Sequence, residues 1–120
     1  MNILLADDQP QVRSALRLLL EQRADRRIVA EAADAHALWR LASALGPDII
    51  LLDWELPGLS GADGVSDFCR DCPSARIVAL SSHPEARQAA LEAGVDAFVS
   101  KGDPPEQLLD AIKDASGNAI

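Results

Sequence analysis

Basic residues are scarce in this 120-residue chain, where 11 lysines and arginines face 19 acids for a formal charge of -8. The isoelectric point falls near 4.5. A surface of that sign repels a phosphate backbone, so this stretch alone is a poor nucleic-acid binder. Cysteine is scarce as well: Cys69 and Cys72 make no disulfide scaffold, which reads as a cytoplasmic setting. Their C-x2-C spacing falls near a helix end, whereas a redox pair belongs at a helix start behind a strand. Zinc would need two further ligands, and neither His36 nor His83 has an evident companion. No apolar run is long enough to cross a bilayer, and the short apolar start, Met1 to Ala6, meets Asp7 and Asp8 at once, unlike a targeting segment. A Gly-x4-Gly-Lys-Ser/Thr loop and a G-x-G-x-x-G fingerprint are both missing, which argues against an NTPase or dinucleotide enzyme. No linker, charge block or low-complexity tract divides the chain, so residues 1–120 are expected to form one domain.

The most informative stretch is Ile49 to Gly61, IILLDWELPGLSG. Its uninterrupted apolar run is the signature of a central parallel strand covered on both faces, and it stops at Asp53 before Pro57, Gly58 and Gly61. A lone aspartate there also suits a turn or a helix cap, so its meaning depends on the rest of the chain. Around it, strands and helices alternate. Asn2 to Ala6 is a strand, followed by a helix behind Pro10 with Val12, Leu16, Leu19 and Leu20 at helical spacing. Arg27 to Ala32 is the second strand; Asp34 caps a helix carrying Leu38, Leu41, Ala42 and Leu45 that stops at Gly46-Pro47. Ser60 to Asp63 reads as a capping box for a third helix with Val65 and Phe68 buried, in which Gly64 costs about 1 kcal/mol relative to alanine. Arg76 to Leu80 is the fourth strand, Pro84 to Ala93 the fourth helix and Ala97 to Ser100 the fifth strand. Asp103 and Pro104-Pro105-Glu106 read as N-cap and first turn of a fifth helix with Leu108, Leu109 and Ile112 inward. Ser116 to Ile120 reads as a fraying end or a linker stub. The fold class is therefore α/β: a doubly wound (βα)5 sandwich around a parallel five-stranded sheet of order 2-1-3-4-5, with too few strands for a closed barrel.

That topology gathers chemistry at one edge. Asp7 and Asp8 close the first strand, Asp53 the third, Ser81 the fourth and Lys101 the fifth, all at the carboxyl edge where such folds place their ligand crevice. Carboxylates converging there repel one another unless a hard cation sits among them, and oxygen-only ligation suits Mg²⁺. A lysine and a hydroxyl opposite can hold the oxygens of a phosphoryl group carried on Asp53.

With these residues in place, the chain resembles the receiver domain of bacterial two-component response regulators, a CheY-like, flavodoxin-like fold, over residues 2 to 115. The family's acidic pair matches Asp7 and Asp8, its phosphoacceptor Asp53, its switch hydroxyl Ser81, its switch aromatic Phe98 and its lysine Lys101; the D-x3-P-x3-G spacing matches at Asp53, Pro57 and Gly61. The resemblance implies that Asp8, Asp53 and the backbone carbonyl of Glu55 bind Mg²⁺ directly and that Asp7 acts through water. It implies a sensor histidine kinase as phosphodonor and acyl-phosphate chemistry without conventional turnover. The segments ADDQPQVRSALRLLLE and SKGDPPEQLLDAI resemble the LuxR/NarL type, which implies a helix-turn-helix output domain absent from this chain, DNA contact only through it, transcription regulation and a phosphorylation-dependent homodimer.

Some residues depart from the family pattern. Gly102 follows the lysine where many members carry proline, so a cis peptide is not expected there, and Phe98 lacks the tyrosine hydroxyl often found at its position. Trp54 falls opposite Asp53 by alternation and reads as a helix-packing residue or a reporter near the site, His36 as a surface or interface residue, and His83, close to the site, as a residue that either affects water access to an acyl phosphate or begins the helix before Pro84. Two other functions are compatible with parts of the pattern: a receiver-like interaction module that is never phosphorylated, and a small Mg²⁺-dependent aspartyl phosphatase in which Glu55 is the second acid.

Overall fold

The computed structural model of the protein describes residues 1–115; Ser116 to Ile120, expected as a fraying end or linker stub, lie outside the described residues. Five parallel strands form one sheet: β1 (Asn2–Ala6), β2 (Arg27–Ala32), β3 (Ile49–Asp53), β4 (Arg76–Ser81) and β5 (Ala97–Ser100), in the order β2-β1-β3-β4-β5. Between and after them run α1 (Pro10–Leu20), α2 (Ala35–Leu45), α3 (Gly61–Asp71), α4 (Arg87–Ala93) and α5 (Pro105–Ala115). Among the described residues no helix is long and apolar enough to cross a membrane.

Side-chain alternation along the strands sorts the core into two layers. Leu4, Ile50, Leu52, Ile77, Ala79 and Phe98 pack towards α2, α3 and α4, with Leu38, Val65, Phe68 and Ala90 from those helices. Ile3, Leu5, Ile49, Leu51, Val78, Leu80 and Val99 pack towards α1 and α5, with Leu20, Leu108 and Ile112. All five residues of β3 are buried, because this strand has helices on both faces. Truncating one of its leucines to alanine would cost about 2–5 kcal/mol on this account.

Local signals act at some helix ends and fail at others. Asp34 caps α2 by accepting the Ala37 N–H at 2.8 Å, and Gly46 ends it in the left-handed region at φ 54°. At α3 the expected capping box does not form: Ser60 is itself left-handed, at φ 64°, and its side chain caps nothing. The fourth helix is shorter than its sequence pattern, since Pro84–Ala86 form a 3₁₀ turn and the α-helix begins at Arg87. Asp103 does not cap the fifth helix; its carboxylate turns back to accept the Ser100 N–H at 3.1 Å and the helix starts at Pro105. β4 runs one residue further than expected and includes Ser81. No described peptide bond is cis.

Gly64 reverses the expectation that it merely weakens α3. A Cβ built there would stand 1.2 Å from the backbone oxygen of Leu59, so the loop leaving β3 occupies the space a side chain would need. Gly64→Ala is accordingly expected to destabilise the domain by about 2 kcal/mol or more, the overpacking penalty outweighing the helix-propensity gain of about 1 kcal/mol. Urea unfolding measures this as a lower midpoint at unchanged slope, and a raised midpoint would contradict the packing account.

Candidate functional site

The order of the sheet makes β1 and β3 neighbours, and the helices that follow them leave towards opposite faces, which opens a crevice at their carboxyl ends. Asp7 and Asp8 follow β1, Asp53 ends β3, Ser81 ends β4 and Lys101 follows β5, so the fold brings the five expected residues to one edge. The alternation that points Leu5, Leu51 and Val99 towards α1 and α5 extends to Asp7, Asp53 and Lys101.

One carboxylate oxygen from each of Asp7, Asp8 and Asp53 lies within 4.8 Å of the other two. Asp7 is 1% exposed and both of its oxygens are engaged: Oδ1 accepts the Gln9 N–H at 2.9 Å and Oδ2 accepts from Lys101 Nζ at 2.8 Å. Asp53, 3% exposed, accepts the Glu55 N–H through Oδ1 at 3.0 Å, and that oxygen stands 3.5 Å from Lys101 Nζ. Its second oxygen has no hydrogen-bond donor among the described residues. Burial pushes the Asp53 carboxyl above the ordinary carboxylate range, and the Glu55 N–H and the Lys101 charge only partly oppose it. For Lys101 burial alone would lower the pKa, but the Asp7 hydrogen bond and the charges of Asp53 and Asp7 together outweigh it and raise the ammonium's pKa. The donor set is all oxygen and anionic, which suits a hard divalent cation such as Mg²⁺.

No pattern in the chain singled out the arginine behind this cluster. Arg13 donates to the Asp7 carbonyl at 2.7 Å and to Glu31 Oε1 at 2.7 Å, while Arg17 holds the other Glu31 oxygen at 2.7 Å. With the Asp7 N–H given to the Ala32 carbonyl at 2.9 Å, the backbone of Asp7 is tied on both sides. No local pattern links Arg13 to Glu31 across 18 positions; the packing of α1 beside β2 brings them together.

Ser81 falls on the other side of the sheet's alternation, with Ile77 and Ala79, and is fully buried. Its hydroxyl donates to Glu55 Oε2 at 2.8 Å and accepts the His83 N–H at 2.9 Å, and His83 Nδ1 lies 3.6 Å from Glu55 Oε1. Phe98 is turned inward, 5% exposed, with the Arg87 guanidinium 5.1 Å above its ring and donating to the Phe98 carbonyl at 3.3 Å. Trp54 packs against the α2–α4 side of the core, as its position opposite Asp53 implies, and His36 is exposed. Cys69 and Cys72 are free thiols that burial pushes up, Cys69 to about 11, which disfavours a reactive thiolate.

A doubly wound sheet with an acidic cluster and a lysine at its switch point defines a domain class that handles a hard cation and phosphate oxygens at its carboxyl edge. The chain belongs to the response regulator receiver domain family, whose model matches residues 3–113. It is 36% identical to the nitrate/nitrite response regulator protein NarL of Escherichia coli (strain K12) over 120 residues, covering 98% of this chain and 56% of that protein. It therefore spans about half the length of the curated relatives it matches. A crystal structure of a LuxR-family two-component response regulator from an Aurantimonas species superposes with a TM-score of 0.87 at 36% identity, covering 98% of this chain and 85% of that one. RcsB from Salmonella enterica serovar Typhimurium, solved on promoter rprA with the phosphomimetic BeF3-, superposes with a TM-score of 0.89 at 28% identity, covering 98% and 60%. The protein is thus a receiver domain of the LuxR/NarL type.

The raised Asp53 pKa has a stability consequence. Its charged form is disfavoured in the folded state, so the penalty is absent below the unfolded carboxylate value and grows as pH rises through the folded one. In EDTA at neutral pH, Asp53→Asn should raise the thermal midpoint, and the gain should vanish as the pH falls to the unfolded carboxylate value. Thermal melts across pH check this, and a variant less stable than wild type at pH 7 would refute it.

Proposed function

We propose that the domain accepts a phosphoryl group on Asp53 from a sensor histidine kinase in a Mg²⁺-dependent reaction, in the cytoplasm, and that this controls an attached DNA-binding output domain. The observation that carries the reading is the Asp53 carboxylate itself: buried, disfavoured as an anion, one oxygen free of donors, and beside both Lys101 and two further acids. Asp8, Asp53 and the Glu55 backbone carbonyl are the residues proposed to hold Mg²⁺. Asp7, whose two oxygens are already bonded, fits a role through water. When bound, the cation neutralises charge on the phosphoryl oxygens.

The side chains divide the remaining work. The free Asp53 oxygen forms the new P–O bond as the donor's bond to phosphorus breaks, and the Lys101 ammonium moves from its 3.5 Å contact with Asp53 to a phosphoryl oxygen. Ser81 then offers its hydroxyl to another phosphoryl oxygen, and the α4–β5 surface around Phe98 and Arg87 repacks. NarL and the promoter-bound RcsB are regulators of which this chain matches the receiver portion, and that supports transcription control as the output. With Mg²⁺ and acetyl phosphate, intact-mass spectrometry should show one phosphoryl group on wild type, and none on Asp53→Asn or in EDTA. An unlabelled wild type under conditions that label a control receiver would favour the interaction-module reading, and rapid turnover of a small phosphoester would favour the phosphatase reading.

The proposal extends to dimerisation through α1 and α5. A groove of about 570 Å³ between them is lined by Val12, Leu16, Leu19, Val99 and Leu108, whereas the α4–β5–α5 side presents Arg76, Arg87, Asp96, Asp110 and Asp114. Leu18, 74% exposed, lies on α1 in register with the groove residues Gln11, Ala15 and Gln22. Charge of -8 on each copy opposes association, so salt should assist it. Sedimentation should show that a beryllofluoride adduct shifts wild type towards dimer, and that Leu18→Glu weakens the shift about tenfold, the effect of losing roughly 1.4 kcal/mol. An adduct that leaves the monomer fraction unchanged at every concentration would refute receiver-driven dimerisation.

A further inference from the structure

The hydroxyl of Ser81 has one proton, and in this structure that proton is given to Glu55. The Oγ–Oε2 distance is 2.8 Å, Ser81 is fully buried, and the same Oγ accepts the His83 N–H at 2.9 Å. The hydroxyl is therefore doubly engaged, and it cannot donate to a phosphoryl oxygen on Asp53 without leaving Glu55. Glu55 is anchored in turn: its backbone N–H is bonded to Asp53 Oδ1 at 3.0 Å, and its other carboxylate oxygen lies 3.6 Å from His83 Nδ1.

We infer that the Glu55 carboxylate is a latch that holds Ser81 in the unphosphorylated arrangement and sets how strongly a phosphoryl group must pull to release it. This rests on the phosphoacceptor reading of Asp53 and adds a positioning residue to it. The exchange conserves hydrogen bonds: Ser81 trades a carboxylate acceptor for a phosphoryl acceptor, both charged. The two arrangements are consequently close in free energy, as a switch requires. A phosphoryl group on Asp53 brings negative charge to the residue whose carboxylate accepts the Glu55 N–H, and repulsion between that charge and the Glu55 carboxylate loosens the latch as the new acceptor appears. Glu55 retains His83 as its neighbour, so the freed carboxylate has somewhere to go.

The test uses Glu55→Ala, which deletes the side chain but keeps the backbone carbonyl proposed for Mg²⁺, at a position whose side chain is 39% exposed. In a Trp39→Phe background, Trp54 fluorescence reports beryllofluoride binding next to Asp53. Half-saturation should fall about five- to tenfold in Glu55→Ala, the net worth of one ordinary hydrogen bond. In a Ser81→Ala background the same substitution should have a clearly smaller effect, because only the direct repulsion between the Glu55 carboxylate and the anion then remains. Without any adduct, the His83 amide resonance should move in Glu55→Ala, since its acceptor is the latched oxygen. An unchanged half-saturation and an unmoved His83 amide would overturn the latch, and so would an equal effect in both Ser81 backgrounds, which would mean that Glu55 acts on the anion by charge alone. Acetyl phosphate labelling of wild type separates the two ideas: an unlabelled Asp53 removes the phosphoacceptor reading, whereas a labelled Asp53 with unaltered variant behaviour removes only the latch.

Discussion

Negative charge crowded at the end of a buried sheet is the constraint on which this structure turns. Asp7 and Asp53 are almost fully buried within reach of each other and of Asp8, a placement that costs free energy unless donors and cations offset it. The offsets are unevenly shared. Asp7 takes the short contact to Lys101, the Gln9 N–H and, through its carbonyl, Arg13, whereas Asp53 keeps one backbone donor and the longer approach of Lys101. The acid left under-compensated is the one at the end of the most buried strand, and positive charge brought close to it would offset the imbalance.

The alternation of the strands separates the chemistry from the surface that would report it. Asp7, Asp53 and Lys101 continue the side-chain rows that face α1 and α5, whereas Ser81, Phe98 and Trp54 belong to the rows that face α2, α3 and α4. Glu55 joins the two sides, its N–H on Asp53 and its carboxylate on Ser81. Beyond Ser81 the chain makes a 3₁₀ turn before a seven-residue α4, a short element held in part by Arg87 against Phe98. An element with so little helix of its own is a natural place for a small change at the strand end to become a surface change.

Most of the architecture was legible because it rests on patterns that act locally or by simple alternation. The apolar run of β3, the helical spacing behind Pro10 and the Asp34 and Gly46 caps survive intact. What failed were end signals whose side chains found a longer-range partner or a different backbone. Asp103 reads as a cap but serves Ser100, Ser60 reads as a capping residue but lies in the left-handed region, and Pro84 begins a 3₁₀ turn where the pattern promised an α-helix. Gly64 is the sharpest case, since propensity counts it as a defect while the carbonyl of Leu59 makes any side chain there impossible without movement.

The five βα units, the two-sided core and the arrival of Asp7, Asp8, Asp53, Ser81 and Lys101 at a common edge can be read from the chain, because strand order and alternation follow from hydrophobic pattern and connection length. The sequence by itself could not determine how those residues divide their partners. That Lys101 sits closer to Asp7 than to Asp53, that Arg13 and Glu31 brace the acidic loop, and that Glu55 holds the Ser81 hydroxyl were decided only in three dimensions. Each is a choice among competing partners far apart in the chain, settled by where the packed sheet leaves a donor within bonding distance.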